Sequence, residues 1–286
     1  MKLRNVPKNI PRYARRFYNY RRNSSPFLSG DLFADQADVQ MYSPKYRSKR
    51  HSLADVADAR VIFCPSHFLE RFLEEYSNAI SAKVLLLGNS DRDFDFIDLD
   101  GLPKSLKQVF AQNLLHPSAS SRLLPIGIEN IRLGTNGLLN LFSESFVNQS
   151  KVDRVLVGPY SMTNPERDFF LNSWIDESDL LEVIRGRLTP FQYAEVSSRF
   201  RFVASPRGNG LDTHRFWEAL YRGSFPIVSQ NSWSEQLIDL DIPHLPIQSW
   251  TMEGFRRLPL NVPSFSPTDV SALWWPYWRG QIQSYL

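Results

Sequence analysis

The residues best placed to do chemistry lie in the run FRFVASPRGNGLDTHRFWEALYRGSFPIVS, residues 200–229. A β-rich apolar stretch ending at Ser205 leads into a turn with Gly208, Asn209 and Gly210, and the turn opens a helical pattern capped by Asp212 or Thr213. Glycines there let backbone N–H groups close on an anion, and a helix N-terminus adds partial positive charge. Arg207 and Arg215 contribute full charges on forked donors, which suit a diphosphate. Such a clamp can stabilise a departing nucleoside diphosphate without a metal ion. His214, Arg215 and Glu218 share one helix surface by their spacing. His214 there suits a diphosphate, and the Glu218 carboxylate suits ribose or sugar hydroxyls. The same pattern also fits a plain capped helix with a surface Arg215–Glu218 pair and glycines that serve only the turn.

Group transfer to a hydroxyl calls for a base, normally a carboxylate or histidine. Asp91 follows a predicted strand (residues 83–88), so it should stand at a carboxyl edge and face a cleft. Glu129, after Pro125-Ile126-Gly127, occupies a similar edge, and His67 is a third candidate. Asp91-Arg92-Asp93 also reads as an Asp-x-Asp pair of the kind that holds a divalent ion on a diphosphate, a reading that leaves residues 200–229 unexplained. His51, His67, His116, His214 and His244 show no zinc-ligand spacing.

These residues need a frame, and the chain supplies an alternation of short apolar runs and helical patterns typical of α/β units around parallel sheets. Strands are expected at 61–64, 83–88, 123–127, 155–158, 181–184, 200–204, 225–229 and 244–247. Helices are expected from a Ser66 cap to about 80, over 103–112, from an Asn164 cap to about 174, over 191–198 behind Thr189-Pro190, over 212–221, over 232–240, and from Ser266-Pro267 to the end. The pattern restarts near residue 150, which implies two facing Rossmann-like domains. Their ligands should lie outside the carboxyl ends of the strands. The expected organisation is a lead-in over 1–50, domains over 51–150 and 151–265, and a closing aromatic helix over 266–286 that runs back across the first domain.

The run through Trp233 resembles the donor-binding region of exostosin-like glycosyltransferases. It carries Pro206-Arg207-Gly208, then Arg215-Phe216-Trp217-Glu218-Ala219-Leu220, then Gly223-Ser224-Phe225-Pro226-Ile227-Val228 in the order of that family. RVLVGPYSMTNPERDFF resembles the start of the family's donor domain, with Asn164 and Arg167 near the cleft. LLLGNSDRDF and FAQNLLHPSASSRLLPIGIEN are similar to small bacterial and viral relatives. The resemblance implies a GT-B fold and metal-independent transfer from a nucleoside-diphosphate sugar, UDP-linked as the first choice, with inversion. The acceptor would be a glycan or glycolipid. The implied donor site comprises Ser205, Arg207, Gly208, Asn209, Gly210, Asp212, Thr213, His214, Arg215 and Glu218, with Asn164 and Arg167. An epimerase or hydrolase on the same fold, and a non-catalytic sugar-nucleotide or polyanion binder, are the competing readings.

Composition sets the outer bounds. The 286 residues are 42% hydrophobic and 22% charged, with a net charge of +3, which describes a folded protein and gives no reason to expect nucleic acid as a partner. A single cysteine, Cys64, excludes an internal disulfide and fits a reducing, cytoplasmic setting. No apolar run is long enough to span a membrane. Lys2, Arg4, Lys8, Arg12, Arg15, Arg16, Arg21 and Arg22, interleaved with Tyr13, Phe17, Tyr18 and Tyr20, form a basic-aromatic arm. Such an arm suits anionic lipid headgroups or a polyanionic acceptor, and fits equally a solvated tail.

Overall fold

The computed structural model describes residues 24–42, 51–98, 101–147, 149–167 and 179–286. The basic arm and most of the helix expected after Asn164 fall outside them. Two parallel five-stranded sheets form the frame. The first has the order β1 (Val39–Gln40), β2 (Val61–Pro65), β3 (Val84–Gly88), β4 (Gln108–Ala111) and β5 (Ser121–Leu123). The second comprises β6 (Val152–Val157), β7 (Leu181–Val183), β8 (Phe200–Ala204), β9 (Phe225–Ser229) and β10 (Leu245–Ile247), in the order β10-β9-β8-β6-β7.

In the first unit the helices are α1 (Gly30–Asp35), α2 (Leu53–Asp58) and α3 (Leu69–Tyr76), and α4 (Glu144–Val147) leads out of it. The second unit carries α5 (Pro190–Ser197), α6 (His214–Tyr221), α7 (Ser232–Asp239) and α8 (Met252–Arg256), and α9 (Trp275–Gln283) closes the chain. Reciprocal capping boxes fix three of the starts, Ser52 with Asp55 at α2, Thr189 with Gln192 at α5 and Asn231 with Ser234 at α7.

Sequential strand order has a packing consequence. Right-handed crossovers that always step the same way lay their connections on one face of the sheet, so the other face needs a different cover. On the crossover face Ile62, Leu85, Leu87 and Val109 pack with Phe72 of α3. On the other, Phe63, Leu86, Phe110 and Leu123 share a core with Phe216 and Trp217 of α6, Trp233 of α7 and Trp278 of α9. The expected return of the C-terminal helix across the first unit is therefore present, with Phe33 meeting Trp275 and Trp278 at ring distances of 5.7 and 6.3 Å. The helices of the second unit complete the core of the first. A large apolar interface of this kind restrains relative motion of the two units.

Several expectations need correction. Residues 103–112 do not form a helix. Leu102, Leu106, Val109 and Phe110 mimic helical spacing, yet residues 103–106 make a turn and Gln108–Ala111 is a fully buried strand. Short apolar runs carry this ambiguity. The strand expected at 123–127 is Ser121–Leu123, and 124–127 is the loop that follows it. Ser66 caps nothing: it opens a 3-10 turn, Ser66–Phe68, with its hydroxyl buried and unpartnered. The last helix begins at Trp275, after two 3-10 turns, and not at Ser266-Pro267. β1 pairs with β2 from within the stretch assigned to the lead-in, so the first unit starts before residue 51. Among the described residues, no helix is long and apolar enough to cross a membrane.

Candidate functional site

The strand order of the second sheet reverses between β6 and β8, since β7 lies on one side of β6 and β8 on the other. That reversal opens a crevice at the carboxyl ends of β6 and β8, the usual ligand position in open parallel sheets. Two guanidiniums occupy it. Arg215, in the first turn of α6, donates to the carbonyl oxygens of Gly158 and Pro159, each at 3.2 Å, just past the end of β6. Arg167 donates to the carbonyls of Ser161 at 3.0 Å and Arg207 at 2.9 Å, the latter just past the end of β8. Tyr160 stands between them, with the Arg167 and Arg215 carbons 5.6 and 5.3 Å from its ring centre. Its hydroxyl is anchored on the Ala204 carbonyl at 2.7 Å. Arg215 also lies 4.0 Å from the ring centre of Tyr193.

The direct hydrogen-bond and stacking partners of the two guanidiniums are carbonyls and aromatic faces, while the carboxylates of Glu218 and Glu166 act on Arg215 and Arg167 from nearby. Burial, and after it the neighbouring Arg215 charge, lowers the pKa of Arg167. An anion between the two groups would relieve both effects.

The glycine turn sits differently from the anion cradle that its sequence implies. It docks on the first unit. Asn209 donates to Asp91 at 3.0 Å, Arg207 bridges to Asp93 at 2.6 Å, and the Leu211 N–H donates to Asp93 at 3.3 Å. A Cβ on Gly210 would lie 2.7 Å from Asn113 Oδ1, and one on Gly208 would lie 2.8 Å from an Arg167 nitrogen. The two glycines thus make room for the protein's own side chains. Gly210→Ala should push the fully buried Asn113 amide off the Asp212 N–H, which it accepts at 2.9 Å. We expect a loss of about 1–3 kcal/mol in chemical denaturation, with nucleotide affinity unchanged. A variant that keeps its stability but loses nucleotide binding would restore the cradle reading.

The remaining sequence candidates fall into three groups. His214 Nδ1 lies 2.8 Å from the Gly127 carbonyl. A carbonyl only accepts, so that nitrogen carries the proton and Nε2 presents its lone pair when the ring is neutral. Asp212 and Thr213 flank the start of α6 without capping it. The Asp212 carboxylate instead accepts from the Ile126 N–H and Trp217 Nε1, each at 2.8 Å, and Thr213 Oγ1 is buried and unpartnered. Four more are turned inward or onto their own loops. Glu218 is buried and faces Arg222 at 3.7 Å. Ser205 Oγ donates back to the Val203 carbonyl at 3.3 Å. Glu129 accepts from the Thr135 hydroxyl and the Asn136 N–H. Asn164 accepts from the Glu166 N–H, which fixes the 3-10 turn Pro165–Arg167.

Sequence reasoning missed a polar network beside Asp91. Asp31 is bridged by Arg132 at 2.7 Å, and its N–H donates to Asn130 at 2.7 Å. Asn130 donates in turn to Asn89 at 2.9 Å, and Asn89 to Asp31 at 3.3 Å. Asn89 ends β3 in the left-handed region, at φ 49°, and a Cβ on Gly30 would fall 1.9 Å from its amide oxygen. The one sequence signal was an asparagine directly after a strand, where such a conformation is best tolerated. Compared with models of known protein families and with curated proteins, the chain matches none.

Proposed function

We propose that the chain is a glycosyltransferase that takes its sugar from a nucleoside-diphosphate donor. The observation that carries this reading is the Arg167–Arg215 pair on either side of Tyr160, in the crevice where the strand order of the second sheet reverses. Two desolvated forks side by side match a diphosphate better than a single carboxylate. In this reading the acceptor oxygen attacks the anomeric carbon, the bond from that carbon to the phosphate oxygen breaks, and the two guanidiniums take up the charge of the leaving diphosphate. The acceptor proton goes to His214 Nε2, which the Gly127 carbonyl keeps in the right tautomer. Asp91 and Asp93, spent on docking the glycine turn, are less available as base or metal ligands than their spacing implies. GT-B geometry, a UDP-linked donor and inversion are the finer terms of the same proposal.

A thermal-shift screen with UDP, GDP, CMP and their sugar conjugates, with and without Mn²⁺, tests it. A ligand at about a hundred times its Kd adds about 2.7 kcal/mol to a folded state that alone binds it. Stabilisation by one nucleoside diphosphate, metal or not, is expected. His214→Gln should keep that shift and lose sugar transfer to acceptor or to water. Silence across all nucleotides would sink the proposal.

A further inference from the structure

A groove of about 330 Å³ lies where the two units and the closing helix meet, toward the amino-terminal edge of β5 and away from the guanidinium pair. Its floor is the buried Trp278 of α9, and half-buried Tyr277 forms a side wall. Around them stand Arg122 of β5, Ser118 before it, Asp239 at the end of α7, and Gln281. Arg122 donates to Gln281 at 3.3 Å, which holds both planar groups in place at the rim. One guanidinium and one carboxylate leave the lining without a net charge of either sign.

We propose that this groove binds a neutral oligosaccharide. A sugar ring offers an apolar C–H face, which matches an aromatic wall, and a belt of hydroxyls that both donate and accept. Arg122 supplies donors only, Asp239 acceptors only, and Gln281 and Ser118 supply both. A balanced lining disfavours an ionic ligand, which would leave one of the two charges opposed. The volume lies at the small end of ligand sites, enough for a short segment of chain and not for a large cofactor. The role rests on the glycosyl-transfer reading: the groove grips an acceptor chain at a distance from the crevice, where its end reacts. Because α7, α9 and β5 all line it, a bound chain would also brace the two units against each other.

The test uses the full chain, with cellotetraose, xylotetraose and maltotetraose as neutral probes and a sulfated tetrasaccharide as the ionic one, read by calorimetry. At least one neutral probe should bind at millimolar concentration or better. Tyr277→Ala should weaken it about tenfold or more, and Asp239→Ala severalfold. Both side chains reach the surface, and an unchanged melting temperature verifies that each variant folds. Failure of every neutral probe, undiminished binding in both variants, or tighter binding of the sulfated probe would each overturn the assignment. The UDP thermal shift is measured in parallel. If it is absent while the neutral probe still binds through Tyr277, the transfer reading falls and the groove remains.

Discussion

Replacing Arg215 with alanine should weaken nucleoside-diphosphate binding by roughly a hundredfold to a thousandfold and leave a folded protein. Each terminal nitrogen of Arg215 donates one N–H to a carbonyl, Gly158 or Pro159, the group also meets the Tyr193 hydroxyl, and in the proposed site its remaining N–H groups take the nucleotide. Hydrogen bonds to charged groups contribute about 1.5–3 kcal/mol apiece, so losing a fork costs about 3–4 kcal/mol of binding. Gly158 is buried and Pro159 half-buried, so the carbonyls left behind should add a folding cost in the usual range of about 1–3 kcal/mol for such a change. Arg215→Lys separates charge from geometry. It retains the cation but loses the fork and the stacking on Tyr193, so affinity should fall about tenfold, between wild type and alanine. Calorimetric titration with the nucleotide that gives the largest thermal shift decides the matter. Equal affinity in wild type and a well-folded Arg215→Ala would remove the guanidinium pair from the site.

Arg215 was legible in the sequence because a helix start after a buried strand is a strong local pattern, and the first turn of such a helix must face the carboxyl edge of the sheet. The strands of the second unit were legible for a similar reason: Phe200–Ala204 and Phe225–Ser229 are short apolar runs bounded by turn residues. What the glycines do was hidden. Gly210 is spared a side chain by Asn113, and the two are distant in sequence, so no local reading joins them. The Asp31–Arg132 bridge spans 101 residues and left no mark on periodicity. Nor could alternation along the first sheet reveal that its second face is covered by helices of the other unit. A fully buried parallel strand is apolar on both sides whatever covers it.

The same docking surface yields a second large effect, in stability and with a definite sign in pH. Asp212 is buried, and burial pushes its pKa from the ordinary carboxylate range up to about 7, although hydrogen bonds from the Ile126 N–H and from Trp217 pull the other way. Below about pH 4 the carboxyl is protonated in both folded and unfolded chains and the group costs nothing. Between about 4 and 7 the unfolded chain releases its proton while the folded chain keeps it, so stability declines as pH rises, and above 7 the loss is complete. A shift of this size corresponds to a change on the order of 4 kcal/mol. Urea denaturation of wild type and Asp212→Asn across pH 4–8 isolates it, since every other titrating group is shared. Wild type should lose stability relative to the variant over that window, and a flat difference would show that Asp212 ionises freely in the fold. Asp212→Ala should be worse than wild type at about pH 4–5, where the wild-type carboxyl is neutral in the fold. It strands two donors, the Ile126 N–H and the buried Trp217 Nε1, at about 1–3 kcal/mol each. Because Ile126 belongs to the first unit and Trp217 to the second, that penalty falls on the seam between them, and the seam should weaken as pH rises toward 7.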